Sequence, residues 1–399
     1  MKSISKWFSI ILIIVIVTLN VTSSKKIGDR NKDSLDSVLE VGDDGDLAVD
    51  YSQPWSTKKN VVKRNLVREN FRPSSIIKNY LSYYEDTSKR LFDGNVLAYV
   101  TPWNKHGYEI AERFKHKFTH VSPVWHQIKW DGKKTLIQGD NNYDKKWIDS
   151  IRDGSQTKVV PRYQFDGQNW NTALAKVVLD DILIDQLIND IKKNDYDGLV
   201  LEGIVPYFKI DKKPRNQFIE RLYKKIQSIK KQLFIVVPPI DRGQLFTNED
   251  FHSLVSFVDG FSLMTYDYDP SQASVSPLPW VEHNLRGVLA GDSGDNVHKV
   301  MMGIPFYGYR TTLKDSPAVL GNDYIEMIKK YKPKRIDWSR TTHEHTFTYQ
   351  DEASGNTEQK VTYPSLLFIQ ERIQLAKQYQ VSISIWEIGQ GLDYFYDLL

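Results

Sequence analysis

The chain has 399 residues, with 53 Lys+Arg against 50 Asp+Glu and a formal net charge of +3. That length suits one large domain or two ordinary ones. An apolar share of 40% with 12% aromatics excludes wholesale disorder, and near-balanced charge argues against nucleic acid as a partner. The absence of cysteine removes disulfide scaffolds, thiolate metal sites, thiol nucleophiles and redox motifs together.

Residues 1–24 read as a secretory signal peptide. Lys2 and Lys6 precede an apolar run from Trp7 to Leu19, and the small or polar Thr22, Ser23 and Ser24 follow. The run is 13 residues, short of the ~20 that span a bilayer, so stable membrane insertion is not expected. A secreted protein, or one delivered to the lysosomal lumen, is the corresponding expectation. Residues 25–93 read as a flexible leader followed by an extension on the main domain, with helical character at Ser75–Tyr84 and no strong strand.

From residue 94 the rhythm changes. Val96–Val100, Thr119–Trp125, Val159–Tyr163, Leu199–Ile204, Phe234–Val237, Phe261–Tyr266, Val300–Phe306 and Val381–Trp386 read as buried strands. Amphipathic stretches fall between them. Ile184, Leu187, Ile188 and Ile191 form one helical face, and Phe218, Leu222, Ile226 and Ile229 another. Eight such alternations predict an α/β fold, a (β/α)₈ TIM barrel over 94–399. No Gly-x-Gly-x-x-Gly follows a strand, so a dinucleotide fold has no support and no cofactor is expected. Between strands seven and eight, Thr341–Tyr349 and Thr357–Tyr363 flank Ser354-Gly355-Asn356 and predict an inserted β-hairpin. The last barrel helix is expected at Ser365–Tyr379.

In such a barrel the site lies where the strands end. Strand four reads Tyr196-Asp197-Gly198-Leu199-Val200-Leu201-Glu202-Gly203-Ile204. Strand six ends Met264-Thr265-Tyr266-Asp267, and strand eight ends Ile385-Trp386-Glu387. These three segments resemble glycoside hydrolase family 18, the chitinases and chitinase-like lectins. Its strand-four signature is an aromatic residue followed by D-G-x-D-x-D-x-E, its sixth strand ends M-x-Y-D, and its eighth ends in a sugar-flooring Trp. The resemblance implies a TIM barrel, an N-acetylglucosamine-type oligosaccharide ligand, and roles for Trp386, Tyr266 and Asp267. The Asp197–Glu202 run and Leu263–Tyr268 are similar to the stabilin-interacting branch of chitinase-like proteins. That likeness adds lipopolysaccharide and a stabilin-type sorting receptor as implied partners.

The departures from the signature matter more. Its second and third Asp are Val200 and Glu202, and its proton-donating Glu is Ile204. On a continuous strand, residues 200, 202 and 204 share one face, here the barrel interior. The family mechanism uses the substrate's acetamido group as nucleophile but still needs an acid for the leaving oxygen. Ile204 cannot supply it, so no residue is assigned a catalytic role and a non-cleaving, sugar-binding barrel is the leading expectation. Glu202 acting with Asp267 or Glu387 keeps an active glycosidase as the alternative. A pure interaction scaffold is the third reading.

Pyranose rings stack on aromatics through their C–H faces. Tyr99, Trp103, Trp125, Tyr163, Tyr207, Tyr266 and Trp386 stand at or beyond predicted strand ends, and with Asp267 and Glu202 they form the candidate carbohydrate groove. His343-x-His345 lacks a third ligand by spacing, so no metal site is expected. The basic runs at Lys224–Lys231 and Lys330–Arg335 read as solvated faces.

Overall fold

In the computed structural model, described for residues 53–167, 177, 181–207, 212–243, 245–292, 294–351, 355 and 357–399, parallel strands curl into a closed wall. The stretches assigned to a signal peptide and leader up to residue 52 lie outside the described residues. The barrel strands are β1 (Val96–Val100), β2 (His120–Pro123), β3 in two pieces (Lys158–Val159 and Arg162–Phe165) and β4 (Gly198–Glu202). They continue as β5 (Gln232–Val237), β6 (Gly260–Leu263), β7 (Val300–Pro305) and β8 (Ser382–Trp386).

All eight neighbouring pairings are parallel. The sheet runs β4-β5-β6-β7-β8-β1-β2 and returns to β3 at both ends, which makes the structure a TIM-barrel-like α/β fold. Residues 158–159 pair with β2, and residues 162–164 pair with β4. Between them sits Pro161, which has no N–H to give but whose carbonyl accepts from Val200 N at 2.9 Å.

The second expected strand is likewise divided. After Pro123 the chain resumes as His126–Trp130, which forms an antiparallel hairpin with Thr135–Gln138 and extends the sheet.

Each strand is buried on both faces, so alternate side chains enter two different interiors. One row packs against the outer helices: Ile184, Leu187, Ile188 and Ile191 from helix Ile182–Lys193, and Phe218, Leu222 and Ile226 from helix Lys212–Ser228. The other row fills the barrel. Leu97, Tyr99, Val124, Val160, Val200, Phe234, Val236 and Met301 form that inner cluster, with Met264 and Trp386 on its edge.

The hairpin expected between strands seven and eight is present as Glu344–Asp351 paired with Thr357–Thr362. It is the centre of a five-stranded antiparallel sheet completed by Asp337–Ser339, Gly308–Arg310 and Ala318–Val319, with helix Gly321–Tyr331 alongside. The flanking strands escape a periodicity reading because they are two or three residues long. The last barrel helix runs Leu366–Gln378, capped by Ser365 Oγ accepting from Phe368 N.

Residues 53–93 differ from expectation. The helix is Pro73–Asn79, and Ser82–Tyr84 leaves it to pair in parallel with Trp55–Thr57. This short ribbon is held to the barrel by Asp397, whose carboxylate accepts from Val61 N at 3.0 Å and Tyr84 N at 2.7 Å. Burial pushes the Asp397 carboxyl up to about 6, against those two N–H donors and the charges of Lys117 and Arg64.

A carboxyl raised on folding contributes stability that is complete below its unfolded value near 4 and is lost as pH rises through about 6. Asp397→Ala should therefore lower the urea-unfolding free energy by about 1–3 kcal/mol, because two inward N–H groups lose their acceptor. It should also flatten the pH 4–6 slope of that free energy; an unchanged slope contradicts this account.

Candidate functional site

At the C-terminal mouth of the barrel, β3, β4, β8 and β1 present one connected group of side chains. Arg162 from β3 donates through Nη1 to Glu202 Oε2 of β4 at 2.7 Å, and through Nη2 to Gln164 Oε1 at 2.7 Å. Its guanidinium carbon lies 5.2 Å from the Trp386 ring centroid, a cation–π contact that orients both. Tyr99 of β1 meets the other part of Trp386, with ring centroids 5.2 Å apart. Below them a polar ladder crosses the barrel: Tyr99 Oη to Ser262 Oγ at 2.9 Å, and Ser262 Oγ to Ser384 Oγ at 3.2 Å.

The turn after β6 supplies the second half. Tyr266 is 8% exposed, and a Cβ added to Gly303 of β7 falls 2.8 Å from its ring. Only glycine there leaves the ring its place. Asp267 adopts a left-handed backbone, φ 60°, which Asp tolerates better than most residues. Its Oδ1 accepts from Tyr309 Oη at 2.6 Å and from Tyr307 Oη. Burial raises the Asp267 carboxyl above its ordinary value, the two phenolic donors opposing the shift.

Of the residues expected in the groove, Tyr99, Glu202, Tyr266, Asp267 and Trp386 come together here. Trp103 sits on the loop after β1 with 44% of its surface exposed, available to a ligand. Trp125 and Tyr163 do not belong to the mouth. Both have the opposite parity and pack in the outer layer, where Trp125 Nε1 donates to Tyr108 Oη and Tyr163 stacks on His126. Tyr207 closes the four-residue helix Ile204–Tyr207, and its side chain lies outside the described part of the structure.

Ile204 departs from expectation as well. β4 ends at Glu202, and Gly203 takes φ +92°, a left-handed turn open to glycine. That turn breaks the alternation, so Ile204 begins a helix and is fully buried in the outer core rather than facing the barrel. Glu387 similarly does not meet Glu202. It lies on the outer side of β8, fully buried, bonded to Asn104 Nδ2 and Gly389 N.

Three mouth residues went unrecognised in the sequence. Arg162 and Gln164 share the inward parity of Val160 and were readable from that alone. Tyr268, 41% exposed, packs on Trp280 at 5.3 Å between centroids, with Arg242 over the indole. It directly follows the Tyr266-Asp267 pair.

His343 and His345 are otherwise engaged, His343 Nδ1 lying 2.7 Å from Glu371 and His345 bridging Ser365 Oγ and the Glu69 carbonyl. A concavity of about 400 Å³ lies against helices Lys105–Arg113 and Lys145–Arg152 and is lined by Tyr108, Trp147 and charged side chains.

Residues 95–391 match the family described as Glycosyl hydrolases family 18. The chain belongs to that family. It is 25% identical over 247 residues to the uncharacterized glycosylase YvbX of Bacillus subtilis (strain 168), a match covering 59% of this chain and 69% of that protein. Its fold is similar to the chitinase from Chromobacterium violaceum, with a TM-score of 0.65 and 19% identity over 76% of this chain and 98% of that one. It is also similar to a family 18 chitinase from Cycas revoluta, solved in complex with (GlcNAc)3, with a TM-score of 0.61 and 14% identity over the same shares, 76% and 98%.

Tyr309→Phe should raise the Asp267 titration further, since it removes a donor that favours the carboxylate. Carbon-detected NMR of labelled Asp checks this; a downward move refutes the assigned hydrogen bond.

Proposed function

We propose that this barrel binds an N-acetylglucosamine-type oligosaccharide at its mouth and does not cleave it. The observation that carries the reading is the Arg162–Glu202 pair beneath Trp386. Glycoside hydrolysis needs a proton delivered to the departing oxygen, worth typically about 10²–10⁴-fold. The carboxylate that β4 directs inward is engaged as an acceptor of a guanidinium hydrogen bond, and Ile204 has no proton to give.

Binding needs less. Trp386, braced by Tyr99 and Arg162, offers an apolar face for a pyranose ring, while Asp267, Gln164 and Glu202 offer polar partners to its hydroxyls. The (GlcNAc)3 complex of the Cycas chitinase supports this ligand class.

Hydrolysis by Glu202 with Asp267 is the second reading, favoured by the raised Asp267 carboxyl, which suits an acid. Against it, Asp267 Oδ1 is already occupied by two tyrosine hydroxyls.

The finer likeness, to chitinase domain-containing protein 1, the stabilin-interacting chitinase-like protein, belongs to the same proposal and rests on the Asp197–Glu202 and Leu263–Tyr268 runs. With it go secretion or a lysosomal location, lipopolysaccharide as a second ligand and a stabilin-type sorting receptor as a partner. Pull-down with a stabilin ectodomain tests the last of these.

Calorimetry with (GlcNAc)4 should give saturable heat that weakens at least tenfold in Trp386→Ala, about 1.4 kcal/mol. Absence of heat favours a scaffold without sugar binding. Release of 4-methylumbelliferone from a chitotrioside, lost in Glu202→Gln, establishes the glycosidase instead. Ile204→Glu should not create activity; it should lower stability by several kcal/mol, since its charge enters an apolar layer.

A further inference from the structure

Glu387 follows Trp386 directly, yet it points into the opposite interior from that ring and has no exposed surface. Its carboxylate joins two segments. Oε1 accepts from Asn104 Nδ2 at 2.6 Å, and Oε2 accepts from Gly389 N at 2.9 Å. The Thr101 N–H also reaches it. Asn104 is next to Trp103, and Thr101 and Asn104 bracket the turn that carries that exposed indole. A Cβ on Gly107 falls 3.2 Å from Oε2, so the first turn of helix Lys105–Arg113 approaches the carboxylate closely.

We propose that Glu387 is the positioning residue of the barrel mouth, fastening the Trp103 turn to the strand end that bears Trp386. This rests on the sugar-binding reading of the mouth. One buried side chain thereby sets the spacing of two aromatics that a sugar chain meets in sequence.

The surroundings fix the direction. The groups hydrogen-bonded to the carboxylate are N–H donors, which favour the anion, but the site is fully buried. Burial prevails and lifts the Glu387 carboxyl to about 7.

The titratable groups around it are few. His106 of helix Lys105–Arg113 faces it, itself bound to Asp393 and Glu109 and raised above its ordinary range by those carboxylates, which outweigh its burial. Asp393 also takes Arg113. The hydroxyls of Tyr108, Tyr363 and Tyr396 face the carboxylate from three elements, but each has another partner: Trp125 Nε1, the Gln390 carbonyl and the Ile388 carbonyl respectively.

If the turn opens, Glu387 meets water and its carboxyl returns toward its ordinary value near 4.5. The fastened state thus takes up a proton relative to the open one. It is complete below about pH 4.5 and is lost as pH rises through about 7. Sugar affinity follows the fastened state.

Calorimetry with (GlcNAc)4 at pH 5.5, 7.0 and 8.5 tests this on the purified chain. The wild type should weaken at least fivefold between pH 5.5 and 8.5, and Glu387→Gln should vary less than twofold over that range. Asn104→Ala, which cuts the link without altering a charge, should bind weakly throughout, with a native circular dichroism spectrum. Wild-type affinity that is flat with pH overturns the proposal, as does an undiminished slope in Glu387→Gln.

If no sugar binds at any pH, the functional reading fails and the link is read without ligand. Tryptophan emission should then shift between pH 5.5 and 8.5 in the wild type and stay constant in both Trp103→Phe and Glu387→Gln. A shift that persists in Glu387→Gln refutes the positioning role.

Discussion

Parity is the constraint on which this molecule depends. A strand buried on both faces alternates between two interiors, and a one-residue step moves a side chain from the sugar side to the helix side. Tyr99 and Trp386 meet because both stand on the inward row, and Arg162 reaches Glu202 for the same reason. Tyr163 is a single residue from Arg162 and is lost to the outer layer. Glu387 is a single residue from Trp386 and becomes a strut behind the wall instead of a group within it.

The strand-and-helix rhythm was readable because buried parallel strands announce themselves as β-branched runs, and seven of the eight strand positions lie within a few residues of expectation; the remaining one, β3, is divided at Pro161. What escaped were interruptions. In the run from residue 119 to 130 only Pro123 marks where the second strand stops, and nothing signals that the chain resumes at His126, yet that break carries Trp125 outward. The strand-four motif was legible, and so were its substitutions. The positive φ of Gly203 was not, since a glycine in a strand pattern marks a kink, a bulge or a close approach without saying which.

Among the charged groups at the mouth, each carboxylate is met by donors of a different kind. Glu202 has a guanidinium, Asp267 has two phenols, and Glu387 has amide N–H groups on the far side of the wall. Three acids within a few residues of the strand ends therefore have three different environments. Counting carboxylates in the sequence says little about how many are free to exchange protons with a ligand.

The division of β3 has a mechanical consequence. Residues 158–165 are the only described stretch that serves both margins of the wall, the first piece bonded to β2 and the second to β4, with an imino acid between them. The seam is nevertheless continuous, because Val160 N bonds to the Val121 carbonyl, Asp197 N to the Val159 carbonyl and Val200 N to the Pro161 carbonyl. The break therefore re-aims the strand without opening the wall, and Arg162 is carried to Glu202 by a segment anchored on both sides.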